Sequence, residues 1–341
     1  MLGPRGAPAN GRTYRVLGPD GTLGKGFLRR TVGVMSQPLV AVPSIADHIR
    51  SEWEAAPYVT IREAQPGDGQ DAGRICHDAF AALADQHGFE HDFPSVAAAA
   101  EPIRWMIGHP RFYGAVAEID GRIVGSSFLD ERGTILGIGP VSVDPDAQNH
   151  HVGHLLMEAM FARARAHQAP GVRLLQLAYH NRSLALYAKL GMDVRGSFAA
   201  LYGPAVDVSR PGYDVRTGTD SDAGACNDVC FAVHGHTRAG EVAEAIETGN
   251  LRVVERLGRI SGYSTGLNYF AHSAAETRDD LIAMIGAAAG YGTPGFLVPL
   301  ADTELFRWCL NHGLRVFFVL NMLTIGLYQE PRGAYMPSVG Y

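Results

Sequence analysis

The sequence predicts an α/β (α+β) protein of two related halves, each a mixed, mostly antiparallel sheet flanked by helices. Strand and helix patterns follow one another from Tyr58 onward, and a pattern from the first half recurs in the second. The 341 residues also exceed the roughly 100 to 200 residues of a typical domain. We expect an N-terminal extension over residues 1–57, one domain over 58–205 and a second over 211–341.

The N-terminal extension has its own composition. Residues 1–34 are rich in Gly, Pro and Arg, which predicts disorder. Met35 is an alternative start, and an Arg-containing targeting peptide is a second interpretation. Ser44 precedes IADHIRSEW, which predicts a short capped helix that ends before Pro57.

The first predicted domain begins with a strand, YVTIRE, and an amphipathic helix, DAGRICHDAFAALADQ. Three strands follow, FYGAVAEI, RIVGSSFLDE and TILGIGPVSVD, and Asp120-Gly121 is a hairpin signal between the first two. The order then continues with a helix in VGHLLMEAMFARARAH, a buried strand in VRLLQLAY, a helix in SLALYAKLG and a strand in MDVRGSFAAL. This order predicts an antiparallel meander followed by alternating helices and strands.

The second half repeats the first. The pattern V-x-E-x-x-G-R-I-x-G-x-S occurs twice, as Val116, Glu118, Gly121, Arg122, Ile123, Gly125 and Ser127 and again as Val253, Glu255, Gly258, Arg259, Ile260, Gly262 and Ser264. Asp71-Ala72-Gly73 is echoed by Asp222-Ala223-Gly224. A period this long exceeds that of solenoid repeats, so each copy is expected to be a domain. The boundary is expected between Pro204 and Pro211.

Composition narrows the class of protein. The hydrophobic fraction of 46% and the charged fraction of 19% are typical of a chain with a buried core. The net charge of -6 argues against a nucleic-acid or anionic-membrane surface. Four cysteines without a CxxC pair indicate a reducing compartment. No run resembles a membrane span or an export signal, so we expect a cytoplasmic protein with a small-molecule partner.

The segment GPVSVDPDAQNHHVGHLLM predicts an anion site, because a strand runs through a polar loop into a helix. The first turn of a helix has unpaired N–H groups at the positive end of the dipole, which suits a diphosphate. The loop residues that supply these amides are Gln148, Asn149, His150, His151, Val152, Gly153 and His154.

This segment resembles the Q/R-x-x-G-x-G/A signature of the GNAT N-acetyltransferase superfamily, as Gln148-x-x-His151-x-Gly153. His151 replaces the first glycine, although histidine adopts the left-handed region more readily than most residues. His151 either donates to a phosphate oxygen or crowds the loop. A second motif follows in order, with an asparagine before a helix that ends in Y-x-K-x-G: Asn181, Tyr187, Lys189 and Gly191.

The resemblance implies that acetyl-CoA is the acyl donor and that a primary amine of a small molecule or peptide attacks its thioester. It implies that backbone N–H groups of Val141, Ser142 and Val143 hold the pantetheine arm and polarise the carbonyl. Tyr187 would protonate the departing thiolate, and Asn181 would contact the cofactor or fix the start of its helix.

The general base and the acceptor site are less defined. The candidates for the base are Glu118, Asp130, Glu131, Asp144 and His180, with a water chain as the alternative. The acidic segment from His87 to Asp92 is a candidate lining for the acceptor site, and its charge favours a cationic amine. The sequence does not decide the acceptor or the oligomeric state, and a homodimer is open.

The remaining motifs have plainer interpretations. His150 and His154 share a helix face, but no carboxylate or thiolate completes a set, so we expect no metal. Cys226 and Cys230 are expected to be buried thiols. The second half has no glycine pair in SAAETRDDLIAMIGAAAG and places Cys309 where Tyr187 would lie. We therefore expect a degenerate second copy, and the alternative function is a non-catalytic CoA-binding or protein-interaction module.

Overall fold

The computed structural model describes residues 58–292 and 294–340. The predicted disorder of residues 1–34, the helix after Ser44 and the start at Met35 lie outside this range. Within it, no helix is both long and apolar enough to cross a bilayer.

The first half follows the predicted order with one addition. Its strands are β1 (Val59–Glu63), β2 (Phe112–Ile119), β3 (Arg122–Asp130), β4 (Leu136–Val143), β5 (Gly171–Leu177) and β6 (Asp193–Tyr202), and its helices are α1 (Gly69–His87), α2 (Val96–Gly108), α3 (Val152–Ala166) and α4 (Asn181–Lys189). Helix α2 was not predicted. It starts at the Ser95 cap, whose side chain accepts from Ala98 N, and it contains Pro102.

The second half has related elements. Its strands are β7 (Asp214–Thr217), β8 (Arg252–Arg256), β9 (Arg259–Ser264), β10 (Ser273–Ala275), β11 (Phe296–Pro299), β12 (Arg315–Gly326) and β13 (Ala334–Met336), and its helices are α5 (Ala223–His234), α6 (Ala239–Glu247), α7 (Arg278–Gly286) and α8 (Thr303–Asn311). Apart from β13, these strands follow the order of their counterparts in the first half.

The described strands form two sheets, and the larger one contains strands of both halves. The larger sheet has the order β1-β2-β3-β4-β5-β12-β6-β11, and the smaller has the order β13-β10-β9-β8-β7. Strand β12 of the second half lies between β5 and β6 of the first, while β6 lies between β12 and β11. The two halves thus exchange equivalent strands across the antiparallel β6–β12 pair. The α/β class is confirmed, whereas the division at residues 205–211 stays a prediction.

The repeated twelve-residue pattern forms the same hairpin twice. In β2–β3 the turn is Asp120-Gly121, and in β8–β9 it is Leu257-Gly258; all four residues have positive φ, between 50° and 75°. Each hairpin also carries a register shift at the same place, just before Glu118 and just before Glu255. Two positive φ values at the turn match the right-handed twist of the strands.

An ion-pair network is duplicated with the hairpin. Arg62 donates to Asp68 at 2.7 and 3.0 Å and to Glu118 at 2.7 and 2.9 Å. Arg216 donates in the same way to Asp222 and Glu255. The structure therefore aligns Asp222 with Asp68. The proposed echo with Asp71 was wrong by three residues, because the matching letters do not occupy matching positions.

Helices cover both faces of the first half's sheet. Helices α3 and α4 pack on one face, with Leu156, Met160 and Tyr187 in a cluster that includes Leu129 and Ile138 of the sheet. Helices α1 and α2 pack on the other face, where buried Cys76 and Ile103 contact Phe128.

Candidate functional site

The sheet opens between β4 and β5. These two strands run parallel, and their pairing covers only Leu136 with Val172 and Gly137 with Arg173 among the described residues. Beyond these pairs the strands diverge toward their C-terminal ends. The edge of β4 that faces β5 is therefore left without a strand partner over its second half.

Backbone N–H groups of β4 point into this opening. The N–H of Asp144 donates to the carbonyl of Val124 on β3 at 2.8 Å. Because successive N–H groups of a strand alternate in direction, that of Ser142 faces β3 as well. Those of Val141 and Val143 face the β5 side, where the pairing has ended.

The N-terminus of α3 lies at the end of β4. Its cap is His151, with φ 61° and ψ 8°, and no capping hydrogen bond comes from that side chain. Histidine thus adopts the left-handed conformation that the missing glycine would take. The first helical hydrogen bond runs from Leu155 N to His151 O, so the amides of Val152, Gly153 and His154 precede the helical ladder.

Arg182 connects the loop to α4 and was missed by the sequence reasoning. Its guanidinium donates to the side-chain oxygens of Gln148 at 2.8 Å and Asn149 at 2.7 Å. It thereby brings a positive charge to the loop that precedes α3. A cation 34 residues from its partner leaves no local pattern, although its place after Asn181 in the second motif was visible.

Tyr187 lies on the same side of the sheet as α3. It is 7% exposed, within the apolar cluster under α3 and α4. Burial raises the pKa of its hydroxyl well above the ordinary value, so the proton stays on the oxygen at neutral pH. Tyr187 is therefore a neutral phenol at neutral pH and cannot act there as a base.

Asn181 is the first residue of α4 but does not cap it. The cap position is His180, and the side chain of Asn181 is exposed. Gln176 of β5 fixes the start of α4 instead, because its amide donates to His180 O at 2.8 Å and to Ser183 Oγ at 3.1 Å. Of the two roles expected for Asn181, contact with a cofactor is the one left as a prediction.

The loop histidines do not gather around a common point. His154 lies 3.3 Å from Glu158 one turn along α3, while His150 is half-buried in the loop. Among residues 58–292 and 294–340 there is no group of three or more His, Cys, Asp or Glu that could hold a metal.

Most of the expected bases are already paired. Arg62 binds Glu118 and Arg132 binds Asp130, while Arg163 binds Glu131 at 2.7 Å. Asp144 accepts from Asp146 N at 3.0 Å in the turn before the loop. Burial, with the nearby charges of Arg182 and His87, lowers the pKa of His180, which leaves this imidazole neutral at pH 7.

In the second half, side chains cap the N-terminus of the helix equivalent to α3. Thr277 caps α7 by accepting from Asp280 N, and the carboxylate of Asp280 accepts from Thr277 N at 2.9 Å. Asp279 and Asp280 also place negative charge in the first turn. A phosphate would meet amides that are already bonded and two carboxylates, so this helix end disfavours an anion.

The strand equivalent to β4 has a strand partner on its outer edge. Strand β10 occupies that place after the β8–β9 hairpin, and β13 pairs with its outer edge through Ser273–Met336, Ala274–Tyr335 and Ala275–Ala334. The chain itself thus fills the position that is open in the first half. Cys309 of α8 is buried at the place of Tyr187.

These features define the class of protein: an α/β fold in which a helix end without a side-chain cap lies beside an open edge of the central sheet. Residues 77–192 match the family model described as acetyltransferase (GNAT) family. Comparison with curated protein sequences gives no match.

Solved structures share the fold over both halves. A putative acetyltransferase from Pyrococcus horikoshii aligns with a TM-score of 0.64 at 14% identity, over 81% of this chain and 94% of its own. A GCN5-related N-acetyltransferase from Sphaerobacter thermophilus gives 0.52 at 15%, over 80% and 96%. A tandem GNAT protein from the clavulanic acid biosynthesis pathway gives 0.51 at 14%, over 79% and 98%. The tandem GNAT architecture is thereby confirmed as the fold.

Proposed function

We propose that the first half binds acetyl-CoA and transfers its acetyl group to a primary amine. One observation carries the proposal. Among the described residues, the N-terminus of α3 has no side-chain cap, the pairing of β4 with β5 covers only Leu136 and Gly137 of β4, and Tyr187 is buried in the apolar cluster that α3 and β4 share. Each supplies what one part of a thioester donor needs: an anion site, a backbone edge and a proton.

The diphosphate would lie on the first turn of α3. The amides of Val152, Gly153 and His154 face it, and Arg182 adds a positive charge from α4. A Cβ at Gly153 would lie 3.4 Å from Leu186 and 3.7 Å from Val143, so the protein itself has room for one. The glycine is therefore needed for the approach of a ligand rather than for packing.

The pantetheine arm would extend along β4, as a strand would. The N–H groups of Val141 and Val143 are directed to accept such a partner, whereas that of Ser142 faces β3. An N–H aimed at the thioester oxygen stabilises the negative charge that develops there. Of the three residues predicted for this role, we assign it to Val141 and Val143.

The transfer forms a C–N bond and breaks a C–S bond. The amine nitrogen gives a proton to a base or a water chain as it becomes an amide, and the sulfur leaves as a thiolate that takes the hydroxyl proton of Tyr187. Solvent then returns a proton to the tyrosinate. The raised pKa of Tyr187 makes its oxyanion short-lived, which favours this return.

The test is release of the free CoA thiol in the presence of primary amines, with acetyl-CoA binding measured separately by calorimetry. Transfer that falls in Tyr187→Phe while binding persists supports the proposal. Binding without thiol release from any amine would favour a CoA-binding module without turnover. Absence of binding would remove both, and an interaction module would replace them.

A further inference from the structure

A second polar site lies on the opposite face of the sheet from Tyr187. Asp92 belongs to the segment between α1 and α2, and its Oδ1 atom is buried without a hydrogen-bond partner among the described residues. Its neighbour Glu90 is exposed. A buried carboxylate oxygen without a partner is costly, so a ligand that pairs with Asp92 would offset this cost.

Aromatic side chains hold this segment in place. Phe89 stacks on Tyr179, with ring centroids 4.5 Å apart, and His87 lies 5.2 Å from the same ring. Phe93 packs edge-on against Phe80 of α1 at 6.0 Å. Asp92 is therefore carried by a segment that aromatic contacts fix on both sides.

The second half completes the surroundings. Tyr269 lies in the loop between β9 and β10 and packs 5.8 Å from Phe318 of β12. It belongs to the same apolar cluster as Phe80 and Tyr179. Burial, followed by the charge of Asp92, raises the pKa of both Tyr179 and Tyr269, which places the two phenols within the field of one carboxylate.

This cluster is adjacent to the opening between β4 and β5. Tyr179 follows the end of β5 and directly precedes His180, where α4 begins. On β4, the Ser142 hydroxyl lies beside the Cys76 thiol of α1, and the charge of Asp92 also acts on Cys76. A donor that enters from the α3 side would thus present its reactive end toward Asp92.

We propose that Asp92 and the aromatic side chains of Phe89, Tyr179 and Tyr269 form the acceptor pocket, which takes a protonated primary amine on an aromatic or apolar body. The inference rests on the proposed acetyl transfer and adds its substrate class. A carboxylate pairs with an ammonium, and aromatic faces attract the same cation. Apolar walls favour a substrate that buries carbon rather than one with further charges.

The pocket also accounts for both protons that the substrate nitrogen loses. The bound ammonium gives the first proton through the carboxylate of Asp92 to solvent, and the neutral amine then attacks the thioester carbon. The carboxylate takes the second proton as the C–S bond breaks and returns it to solvent after the amide leaves. Asp92 thereby serves as the counterion of the substrate and as the acceptor of its proton.

The experiment measures CoA thiol release with 2-phenylethylamine, ethanolamine and glutamate as acceptors. The variants are Asp92→Asn, Phe89→Ala and, as the matched control in the same segment, Glu90→Gln. We expect the unmodified protein to prefer 2-phenylethylamine and to reject glutamate. Asp92→Asn should lower kcat/KM for 2-phenylethylamine about 100-fold, and Phe89→Ala should raise KM for it more than for ethanolamine.

The outcomes separate the two proposals. Transfer in the unmodified protein with equal kcat/KM in Asp92→Asn and Glu90→Gln would overturn the acceptor pocket and leave acetyl transfer standing. A preference for glutamate would overturn the substrate class. Failure to bind acetyl-CoA, measured by calorimetry on the same sample, would overturn the proposed function and this inference together.

Discussion

Neutralising Asp92 should stabilise the protein above about pH 6 while it lowers activity. Burial raises the pKa of this carboxyl from the ordinary 3.8 to about 6. A folded-state pKa above the unfolded one means that stability is complete below pH 3.8 and is lost as pH rises through about 6. The unmodified protein therefore has its largest deficit at neutral pH, where the buried carboxylate is ionised.

The magnitude follows from the difference between the two pKa values. A difference of this size corresponds to about 3 kcal/mol, and partial solvent contact of the side chain reduces it to about 2 kcal/mol. Asparagine cannot ionise and has nearly the same shape. Asp92→Asn should thus gain about 2 kcal/mol at pH 7.5, or roughly 5 °C in Tm for a chain of this size.

The assay is thermal unfolding of the unmodified protein, Asp92→Asn and Glu90→Gln between pH 4 and pH 8. The Tm advantage of Asp92→Asn should be small at pH 4, grow through pH 6 and level off above it. Exposed Glu90 should give almost no effect at any pH. An advantage that does not change with pH would refute the reasoning, because it would not come from ionisation of Asp92. A loss of stability at pH 7.5 would also refute it, by showing that the carboxylate has a stabilising partner.

The other predictions concern the donor site and the second half. Tyr187→Phe should lower kcat about 10- to 100-fold with unchanged acetyl-CoA affinity, measured by thiol release and calorimetry; an equal fall in affinity would argue against a role as proton donor. Arg182→Gln should weaken acetyl-CoA binding about tenfold through loss of the guanidinium charge, and an unchanged Kd would exclude a role for Arg182 in that binding. Asp280→Asn should cost about 2 kcal/mol in urea unfolding without weakening acetyl-CoA binding, since α7 is closed to phosphate; weaker binding would contradict that assignment.

Local patterns predicted much of the first half. The hairpin signal at Asp120-Gly121 was sufficient because a two-residue turn and alternating strands are encoded by adjacent residues. The start of α3 was visible for the same reason, and His151 adopts the left-handed backbone expected of the residue at that position.

Helix α2 was missed because Pro102 and a run of alanines obscure its pattern, although Ser95 is a recognisable cap. The placement of β12 between β5 and β6 had no sequence signal at all. Strand pairing between residues more than a hundred positions apart depends on packing of the whole sheet, which a local period does not report.

The candidate site was predicted in part. The loop before α3, Tyr187 and the edge of β4 came from motif order, but Arg182 and the partnerless oxygen of Asp92 required coordinates. The closure of the second half also needed the structure, since the capping box at Thr277 was visible in sequence but the pairing of β13 with β10 was not.

The most direct test of the central claim is calorimetric titration of acetyl-CoA into the unmodified protein, Gly153→Glu and Gly224→Glu. Both variants add the same side chain to the first turn of a helix, and Gly224 in α5 has open space around it. The account predicts one acetyl-CoA per chain with micromolar affinity, lost in Gly153→Glu and kept in Gly224→Glu. Equal binding by all three proteins, or two molecules bound per chain, would contradict a single donor site at the N-terminus of α3.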